Sequence, residues 1–304
     1  MKRTRSSLTI EGKTIEVSNL DKVLYPATGF TKRDLIRYYA AIAPVLLPHL
    51  QDRALTMKRY PDGVRGFFFY EKNCPAHRPR WVRTASVYSR RKGEKMAYCL
   101  ANNLPSLVWM ANLADIELHV SLAKAKMQSR PTAMVFDLDP GEGTDVLGCA
   151  EVGIHVRDVL GELGLQSFPK ASGSKGLQVY VPLNTAIDFT RTKAASRLIA
   201  ETVEKMRPDL VVTKMRKDLR RGKVLIDWSQ NDEHKTTVCV YSMRAKEKPS
   251  VSTPLAWDEV ELFLKKRRPA KFSHGPDEVL ARVEKHGDLF EPVLKLKQRL
   301  GRGV

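Results

Sequence analysis

Apolar residues alternate with polar residues in several short segments of the chain, and this period of two predicts β-strands. Longer segments carry apolar residues at helical spacing, with Thr31 and Thr190 as N-terminal caps. The predicted strands cover residues 8–17 as a hairpin, 55–59, 66–70, 134–136, 177–181, 224–228 and 238–243. The predicted helices cover residues 32 to about 42, 102–118, 147–163, 190–206 and a region from 257 onward.

The strand at 134–136 leads into two acidic residues and then into a turn rich in glycine. Asp137 and Asp139 are two positions apart, so their side chains project from one face of the strand while Leu138 points into the core. Neighbouring carboxylates repel each other, and a shared proton or a shared divalent cation relieves that repulsion. Pro140 ends the strand and leaves the pair at an open rim. The pattern indicates a Mg²⁺ or Mn²⁺ site or, as the alternative, a surface turn.

A second apolar strand, at 224–228, delivers another acid, Asp227. A centre with two metal ions needs several oxygen ligands, and a third carboxylate on a strand meets that need. A D-x-D strand also begins phosphatases of the haloacid dehalogenase type, but there a Thr or Val follows two residues on, where this chain has Gly141. Such a phosphatase would explain neither Asp227 nor the net charge of +18.

Residues 170–182 contain a loop with two glycines around Ser172 and Lys175. Glycines let the backbone approach a ligand closely, and successive backbone N–H groups can bind an anion. The loop is not a Walker A motif, because G-x-x-x-x-G-K-[ST] does not occur and a strand follows the loop. The pattern indicates a phosphate-binding loop, with an ordinary Gly/Ser loop as the alternative.

Positive charge dominates the composition. The 304 residues include 52 Lys and Arg against 34 Asp and Glu, which favours a nucleic acid as partner. The basic segment 78–95, with an exposed loop tip at 90–93, favours contact with phosphates over a solvated surface, and 214–223 is a second basic segment. The aromatic run at 67–70 is either core or a surface for base stacking. The best apolar stretch, 40–50, is interrupted by two prolines, so no membrane partner is expected.

Isolated residues add less. The cysteines lack any C-x-x-C pair, so neither a zinc ribbon nor a disulfide framework is predicted, and a reducing cytoplasm is expected. His119, at the end of the predicted helix 102–118, is predicted to be structural. Asn19, Lys22 and Lys32 lie near the start of the first predicted helix and form either a solvated face or a phosphate-binding site. The four cysteines are Cys74, Cys99, Cys149 and Cys239.

Four motifs occur together in the order and spacing of one family. They are Asp137-Leu138-Asp139-Pro140, Ser172-Gly173-Ser174-Lys175-Gly176-Leu177, Arg221-Gly222-Lys223-Val224-Leu225-Ile226-Asp227 and Tyr241-Ser242-Met243-Arg244. The chain therefore resembles the archaeo-eukaryotic primase superfamily and, within it, the polymerase domains of prokaryotic non-homologous end-joining DNA ligases. The resemblance covers nearly the whole chain, from residues 18–22 to residues 254–257.

The resemblance implies an α/β (α+β) fold of the primase type, with two αβ layers around a central cleft. It implies two Mn²⁺ or Mg²⁺ ions, with Asp137, Asp139 and Asp227 as catalytic metal ligands. The residues expected to bind a ribo- or deoxyribonucleoside triphosphate are Ser172, Lys175, Gln178, Arg220 and Arg244. Those expected at the 5′-phosphate of a DNA gap or break are Asn19, Lys22 and Lys32.

One position departs from the family pattern, which usually has His where this chain has Gln178. A histidine can carry positive charge toward a triphosphate, whereas glutamine only donates a hydrogen bond. Nucleotide affinity or metal preference is therefore expected to differ from the family more than the reaction does.

By the same resemblance the chain is a single primase-polymerase domain, 1–304. Its expected parts are an N-terminal DNA-binding part at about 1–100, a catalytic core at about 101–260 and a C-terminal helical cover at about 258–304. The expected function is template-directed DNA or RNA synthesis that fills gaps at double-strand breaks in non-homologous end joining, with a preference for ribonucleotides. Ku and a DNA ligase are the expected partners, in a cytoplasmic, nucleoid-associated setting. The alternatives are a free-standing primase-polymerase in replication or lesion bypass and a DNA-end-binding module of weak activity.

Overall fold

The computed structural model describes residues 5–89 and 92–301. The helices are α1 (Lys32–Leu50), α2 (Leu104–Asn112), α3 (Val146–Glu162), α4 (Phe189–Met206), α5 (Trp257–Lys265), α6 (Pro276–His286) and α7 (Glu291–Lys295). The strands are β1 (Arg5–Ile10), β2 (Lys13–Ser18), β3 (Val23–Tyr25), β4 (Phe30–Thr31), β5 (Leu55–Arg59), β6 (Phe69–Glu71), β7 (Thr84–Ser89), β8 (Glu94–Cys99), β9 (Asp115–Val120), β10 (Ala133–Pro140), β11 (Phe168–Ala171), β12 (Leu177–Pro182), β13 (Val211–Val212), β14 (Val224–Asp227), β15 (Thr237–Val238), β16 (Met243–Arg244), β17 (Ser250–Val251) and β18 (Thr253–Pro254).

A six-stranded sheet, here called the catalytic sheet, has the strand order β13-β14-β10-β12-β11-β18. Its neighbouring strands run antiparallel except for β13 and β14. Along β10, Met134, Phe136 and Leu138 point into an apolar core shared with α3, α4 and α5. Because side chains alternate along a strand, Asp137 and Asp139 point away from these helices.

A second sheet, here called the N-terminal sheet, has the order β15-β9-β5-β8-β7, with β6 paired to β5. Met57 and Leu118 belong to the apolar core that this sheet shares with α1 and α2. The alternate positions on β5 and β9 are polar, and His119 on β9 lines the same cavity as Asp137. The polar faces of the two sheets therefore meet across a cleft, with the helices on the outer faces.

The N-terminal sheet is not built from the first third of the chain alone. Strand β9 and strand β15 come from the part predicted to be catalytic core, and both complete this sheet. The division of the chain at about residues 100 and 258 stays a prediction. In the described part of the chain, no helix is both long enough and apolar enough to cross a membrane.

Local sequence accounts for where the helices begin. Thr31 caps α1, where its hydroxyl accepts from the Asp34 N–H while the Asp34 carboxylate accepts from the Thr31 N–H. Asp145 caps α3, where its Oδ1 accepts from the Leu147 N–H at 2.9 Å. The predicted starts of these two helices are confirmed to within a residue. The predicted cap of α4 is wrong, because Asp188 accepts from the Arg191 N–H and the helix begins at Phe189.

Three predicted elements are wrong in extent. Helix α1 continues through two prolines to Leu50, because its buried apolar stripe extends to that residue. The predicted helix at 102–118 ends at Asn112, and β9 follows after Ala114 adopts a left-handed φ of 58°, a conformation that sequence patterns assign to Gly or Asn. The predicted strand 238–243 is interrupted between β15 and β16. Of the predicted loop tip at 90–93, Arg90 and Arg91 lie outside the described residues.

Two of the four cysteines form a disulfide, so the prediction that excluded a disulfide framework is wrong for this pair. Cys74 and Cys99 have Cα atoms 4.9 Å apart. The Cys74 N–H donates to the carbonyl of Ala97 on β8 at 2.6 Å, and this contact places Cys74 beside Cys99. Their separation of 25 residues carries no sequence signal of this pairing. Cys149 and Cys239 are free and buried.

Candidate active site

Three carboxylates meet on the cleft face of the catalytic sheet. Asp137 on β10 is paired directly with Asp227 on β14, and Asp139 lies two residues further along β10. Directly opposed residues of antiparallel strands share a face, with Cβ atoms about 4.5–5.5 Å apart. The pairing of β10 with β14 therefore brings the third predicted acid to the other two.

The electrostatics of this group favour a bound cation. Burial raises the pKa of Asp137, and the negative charges of Asp139 and Asp227 raise that pKa further, while the Gln178 amide opposes the shift. Burial and Asp227 also raise the pKa of Asp139, against the positive charges of Arg220 and Arg244. Acids held so close lack positive charge, which a divalent cation supplies.

Asp227 is directed toward its own turn. Its Oδ1 accepts from the Ser229 N–H at 2.9 Å and from the Ser229 hydroxyl at 2.6 Å. Within residues 5–89 and 92–301, no three His, Cys, Asp or Glu side chains are gathered as a preformed metal site. The Oδ2 of Asp227 accepts from Gln230 Nε2 at the longer distance of 3.4 Å and is the oxygen of Asp227 that can turn to a cation. The donor set, three hard carboxylate oxygen ligands that repel one another, fits Mg²⁺ or Mn²⁺.

The loop at 172–176 joins β11 to β12 next to these acids. The Ser172 hydroxyl accepts from the N–H groups of Ser174 and Gly176, both at 3.2 Å. Gly173 has a φ of 67°, and a Cβ on Gly176 would collide with the carbonyl of Leu138. Glycine at both positions therefore lets the loop turn back against β10, beside the carboxylates.

A cavity of about 400 Å³ lies between the two sheets. Arg244 crosses it, and its Nη1 donates to the carbonyl of Ser172. Arg220, which precedes β14, donates to the carbonyl of Met215 at 2.5 Å. The cavity brings together two of the predicted acids and all five predicted nucleotide-binding residues. Its predicted lining residues are Asp137, Asp139, Ser172, Lys175, Gln178, Arg220 and Arg244.

Gln178 lies on β12, where it pairs directly with Asp137; Asp227 pairs with Asp137 from the strand on the other edge of β10. The Gln178 Nε2 donates to the Thr237 hydroxyl at 3.1 Å, and the buried Oε1 of Gln178 has no hydrogen-bond partner among the described residues. The amide is thus placed to meet a ligand in the cavity, and its role there stays a prediction.

A larger cavity, of about 630 Å³, lies along α4 beside Trp228. Its charged side chains have both signs, and Lys193 and Asp232 neutralise each other at 2.7 Å. It lacks a cluster of like charges that requires a counter-ion. The chemistry therefore favours the smaller cavity as the active site.

Exposed aromatic rings stand on the N-terminal sheet. Phe67, Phe68 and Tyr70, here called the aromatic platform, are 70%, 46% and 55% exposed. Lys58 on β5 lies 4.8 Å from the centroid of the Phe68 ring. Rings so exposed are not core, and their stacking on bases stays a prediction.

The three residues predicted at the 5′-phosphate lie close together. The Lys22 N–H donates to the carbonyl of Asn19 at 3.0 Å, and the Lys32 N–H donates to the carbonyl of Lys22 at 2.9 Å. Lys22 forms an exposed ion pair with Asp62 at 2.9 Å. Lys32 is buried, and its Nζ donates to the carbonyl of Asn112 at 3.0 Å. Burial and the charge of Lys22 lower the pKa of Lys32 to about 8.

The start of α1 has fewer free backbone N–H groups for binding an anion than a helix start normally provides. The N–H groups of Lys32, Arg33 and Asp34 already donate to the carbonyls of Lys22 and Leu20 and to the Thr31 hydroxyl. A phosphate at this place would meet side chains rather than free backbone donors. The part of the prediction that relied on the helix terminus is therefore wrong, while the side-chain roles stay predictions.

Comparison with known proteins assigns the chain to a family. The family described as LigD, primase-polymerase domain, matches residues 31–290. The chain belongs to this family. The multifunctional non-homologous end joining protein LigD of Mycolicibacterium smegmatis is 40% identical over 284 residues, which cover 92% of this chain and 36% of that protein. The bifunctional LigD of Bacillus subtilis is 34% identical over 277 residues, 91% of this chain and 43% of that protein. The chain thus spans less than half the length of these relatives.

A solved structure, the polymerase domain from Mycobacterium tuberculosis ligase D in complex with DNA, superposes with a TM-score of 0.84 at 38% identity. The match covers 93% of this chain and 98% of that chain. These matches confirm the predicted family and the primase-type α/β fold. They also confirm the predicted enzyme class, a nucleotidyltransferase of the primase-polymerase kind.

The structure also places at the cavity a residue that the sequence analysis did not assign to it. The segment 115–120 alternates Asp115, Glu117 and His119 with apolar residues, which is the signal of a strand. As part of β9, His119 lines the active-site cavity, so its predicted place at a helix end is wrong. Burial lowers the pKa of His119, and its hydrogen bond to Glu117 opposes that shift.

A buried lysine completes the polar row of the catalytic sheet. Lys170 on β11 pairs with Gln178, which pairs in turn with Asp137. Its Nζ donates to the Ser252 hydroxyl at 2.6 Å, and burial, together with the charge of Arg244, lowers the pKa of Lys170 to about 7. The charge of Lys170 acts to lower the pKa of Asp137, and no sequence motif indicated this lysine.

Proposed function

We propose that this chain is a template-directed polymerase that fills gaps at DNA double-strand breaks in non-homologous end joining and prefers ribonucleotides. The observation that carries the proposal is one cavity that joins the carboxylates of β10 to the loop at 172–176 and to Arg244, with the aromatic platform at the start of β6 on the N-terminal sheet. Relatives named for non-homologous end joining and a similar domain solved with DNA support it.

The roles of the side chains follow from their chemistry. Asp137, Asp139 and Asp227 would hold two Mg²⁺ or Mn²⁺ ions, which lower the pKa of a primer 3′-hydroxyl and neutralise the phosphate under attack when bound. The primer oxygen forms a bond to the α-phosphorus, and pyrophosphate leaves. Lys175 and Arg244 bind the triphosphate and offset the charge that develops on the leaving pyrophosphate, as does Arg220.

The DNA would lie across both sheets. The net charge of +18 attracts the phosphate backbone of the DNA. The aromatic platform offers rings on which unpaired template bases can stack. Asn19, Lys22 and Lys32 would bind the 5′-phosphate on the far side of a gap. Ku and a DNA ligase are the proposed partners, on broken DNA in the nucleoid.

Primer extension on gapped DNA with a downstream 5′-phosphate tests the proposal. We expect incorporation by the wild-type protein, faster with ribonucleotides than with deoxyribonucleotides, with Mg²⁺ and Mn²⁺ compared in parallel. Equal activity on an unprimed single strand would favour the free-standing primase-polymerase. DNA binding without any incorporation in Mn²⁺ would favour the DNA-end-binding module.

A further inference from the structure

Glu117 is a buried carboxylate at the junction of the two sheets. Its side chain is only 2% exposed. Oε1 accepts from the Ala245 N–H at 3.1 Å and lies 3.3 Å from Lys58 Nζ. Oε2 lies 2.9 Å from His119 Nε2 and 3.4 Å from Arg244 Nε. The Tyr60 hydroxyl donates to Oε1 at 3.4 Å, so one carboxylate contacts three basic side chains, one hydroxyl and one backbone donor.

The balance of charge around Glu117 keeps it ionised. Burial alone would raise the pKa of Glu117, but the hydrogen bond with His119 and the charges of Arg244 and Lys58 outweigh burial and hold the pKa well below its usual range. A buried ionised carboxylate is stable only while its donors stay in place, because a lost donor leaves charge unpaired. The reverse also holds, since the donors are fixed by the carboxylate.

Arg244 is held from two sides by this arrangement. Its Nε faces Glu117 on the N-terminal sheet, and its Nη1 donates to the carbonyl of Ser172 on the loop of the catalytic sheet. The backbone beside it is held as well, since the Ala245 N–H donates to Glu117. The direction of the guanidinium across the cavity therefore depends on Glu117.

Lys58 extends the same contacts to the aromatic platform. Its ammonium lies 4.8 Å from the ring centroid of Phe68 and 5.4 Å from that of Tyr70. Cations at such distances are attracted to the faces of aromatic rings. Glu117 thus touches, on one oxygen, a lysine packed under the platform and, on the other, the arginine of the nucleotide site.

We propose that Glu117 is a positioning residue that aligns Arg244 and His119 with the triphosphate of the incoming nucleotide and, through Lys58, ties them to the aromatic platform. The inference rests on the proposed function, because it takes a nucleoside triphosphate as the ligand of Arg244. Glu117 itself need not touch the substrate.

The test compares Glu117→Gln with the wild type in steady-state primer extension. Glutamine keeps the size and an acceptor for the Ala245 N–H, but it removes the negative charge that lies 3.4 Å from Arg244 Nε and can place an N–H group against His119. We expect KM for the nucleotide to rise about tenfold with a smaller change in kcat, and the affinity for gapped DNA to change by less than about threefold. Glu259→Gln is the matched control, because Glu259 also pairs with an arginine, Arg282, but on α5, away from the cavity. Its KM should stay at the wild-type value.

A double mutant separates positioning from a general structural role. In an Arg244→Ala background, Glu117→Gln should change KM by less than about twofold, because the group it aligns is gone. An equal rise of KM in both backgrounds, or a loss of activity that only follows the loss of folded protein in a thermal melt, would overturn the inference. If Glu117→Gln does not fold, Glu117→Asp, which keeps the charge but is shorter, is held to the same criteria. A wild-type protein without extension activity would instead refute the proposed function.

Discussion

The two sheets present their polar faces to one cleft, but they carry different kinds of information. On the catalytic sheet, the functional groups sit in short motifs, such as Asp137 and Asp139 on one strand and Ser172 and Lys175 in one loop. On the N-terminal sheet, Lys58 and Glu117 meet only because β5 and β9 pair in one particular register. Chemistry that short motifs encode was predictable, whereas the contact of Lys58 with Glu117, which no motif marks, was not.

The largest effect is expected at the carboxylates, which mark the catalytic sheet as the reactive one. Asp137→Ala, Asp139→Ala and Asp227→Ala should each lower primer extension by more than about a thousandfold, because each removes a proposed metal ligand. DNA affinity and the melting temperature should stay near the wild-type values, as should all three properties in the control Asp209→Ala at an exposed ion pair with Arg207. Substantial activity in Asp227→Ala would show that the turn held by Ser229 is its only role.

A smaller effect is expected at the basic residues of the cavity. Lys175→Ala and Arg220→Ala should each raise KM for the nucleotide about tenfold, because each removes a charge-assisted contact to phosphate. Kinetics at saturating DNA measure this change. Unchanged KM and kcat in both variants would make the loop at 172–176 a structural hairpin.

The affinity for different DNA ends tests the proposed role of the N-terminal part of the molecule in binding a 5′-phosphate. Gapped DNA with a 5′-phosphate should bind about tenfold more tightly than the same DNA with a 5′-hydroxyl, because a terminal phosphate carries nearly two charges. The advantage should vanish in Lys22→Ala/Lys32→Ala and persist in the control Lys285→Ala, at an exposed position on α6. Equal binding of both ends by the wild type would favour a free-standing primase-polymerase over the end-joining enzyme.

The same preference should depend on pH. The pKa of Lys32 is lowered to about 8 in the free protein, so Lys32 is charged below that pH and becomes neutral above it. Phosphate binding above pH 8 then requires uptake of a proton, and the 5′-phosphate advantage should decrease as the pH rises from about 7.5 to 9.5. The measurement is the affinity for 5′-phosphate and 5′-hydroxyl DNA at a series of pH values. In Lys32→Met, which lacks the titrating group, the residual advantage should lose this dependence.

The smallest effect is expected at the departure from the family pattern. Gln178→His should lower KM for the nucleotide by about two- to fivefold below pH 7, where a histidine begins to carry charge. The measurement is KM against pH in both proteins. Identical flat profiles would mean that position 178 does not touch the phosphates.

The sequence predicts features that depend on neighbouring residues better than features that depend on contacts between distant parts of the chain. Alternation along β10 and the N-cap at Thr31 are local, and the prediction of both is confirmed. The course of 102–118 was mispredicted because a left-handed Ala114 ends α2 without a glycine, and this error hid Glu117 and misplaced His119. The disulfide between Cys74 and Cys99 depends on tertiary contact, and spacing alone could not indicate it.

The interleaving of the two sheets has a consequence for the order of folding. Strand β15 completes the N-terminal sheet and β18 completes the catalytic sheet, so both sheets depend on residues beyond 236. Contacts of such large sequence separation form slowly, because the intervening chain must lose entropy before they form. During synthesis, neither sheet can acquire its last strand until that segment has left the ribosome, and the cleft is assembled last. A chain cut after residue 236 would lack Arg244 and an edge strand from each sheet.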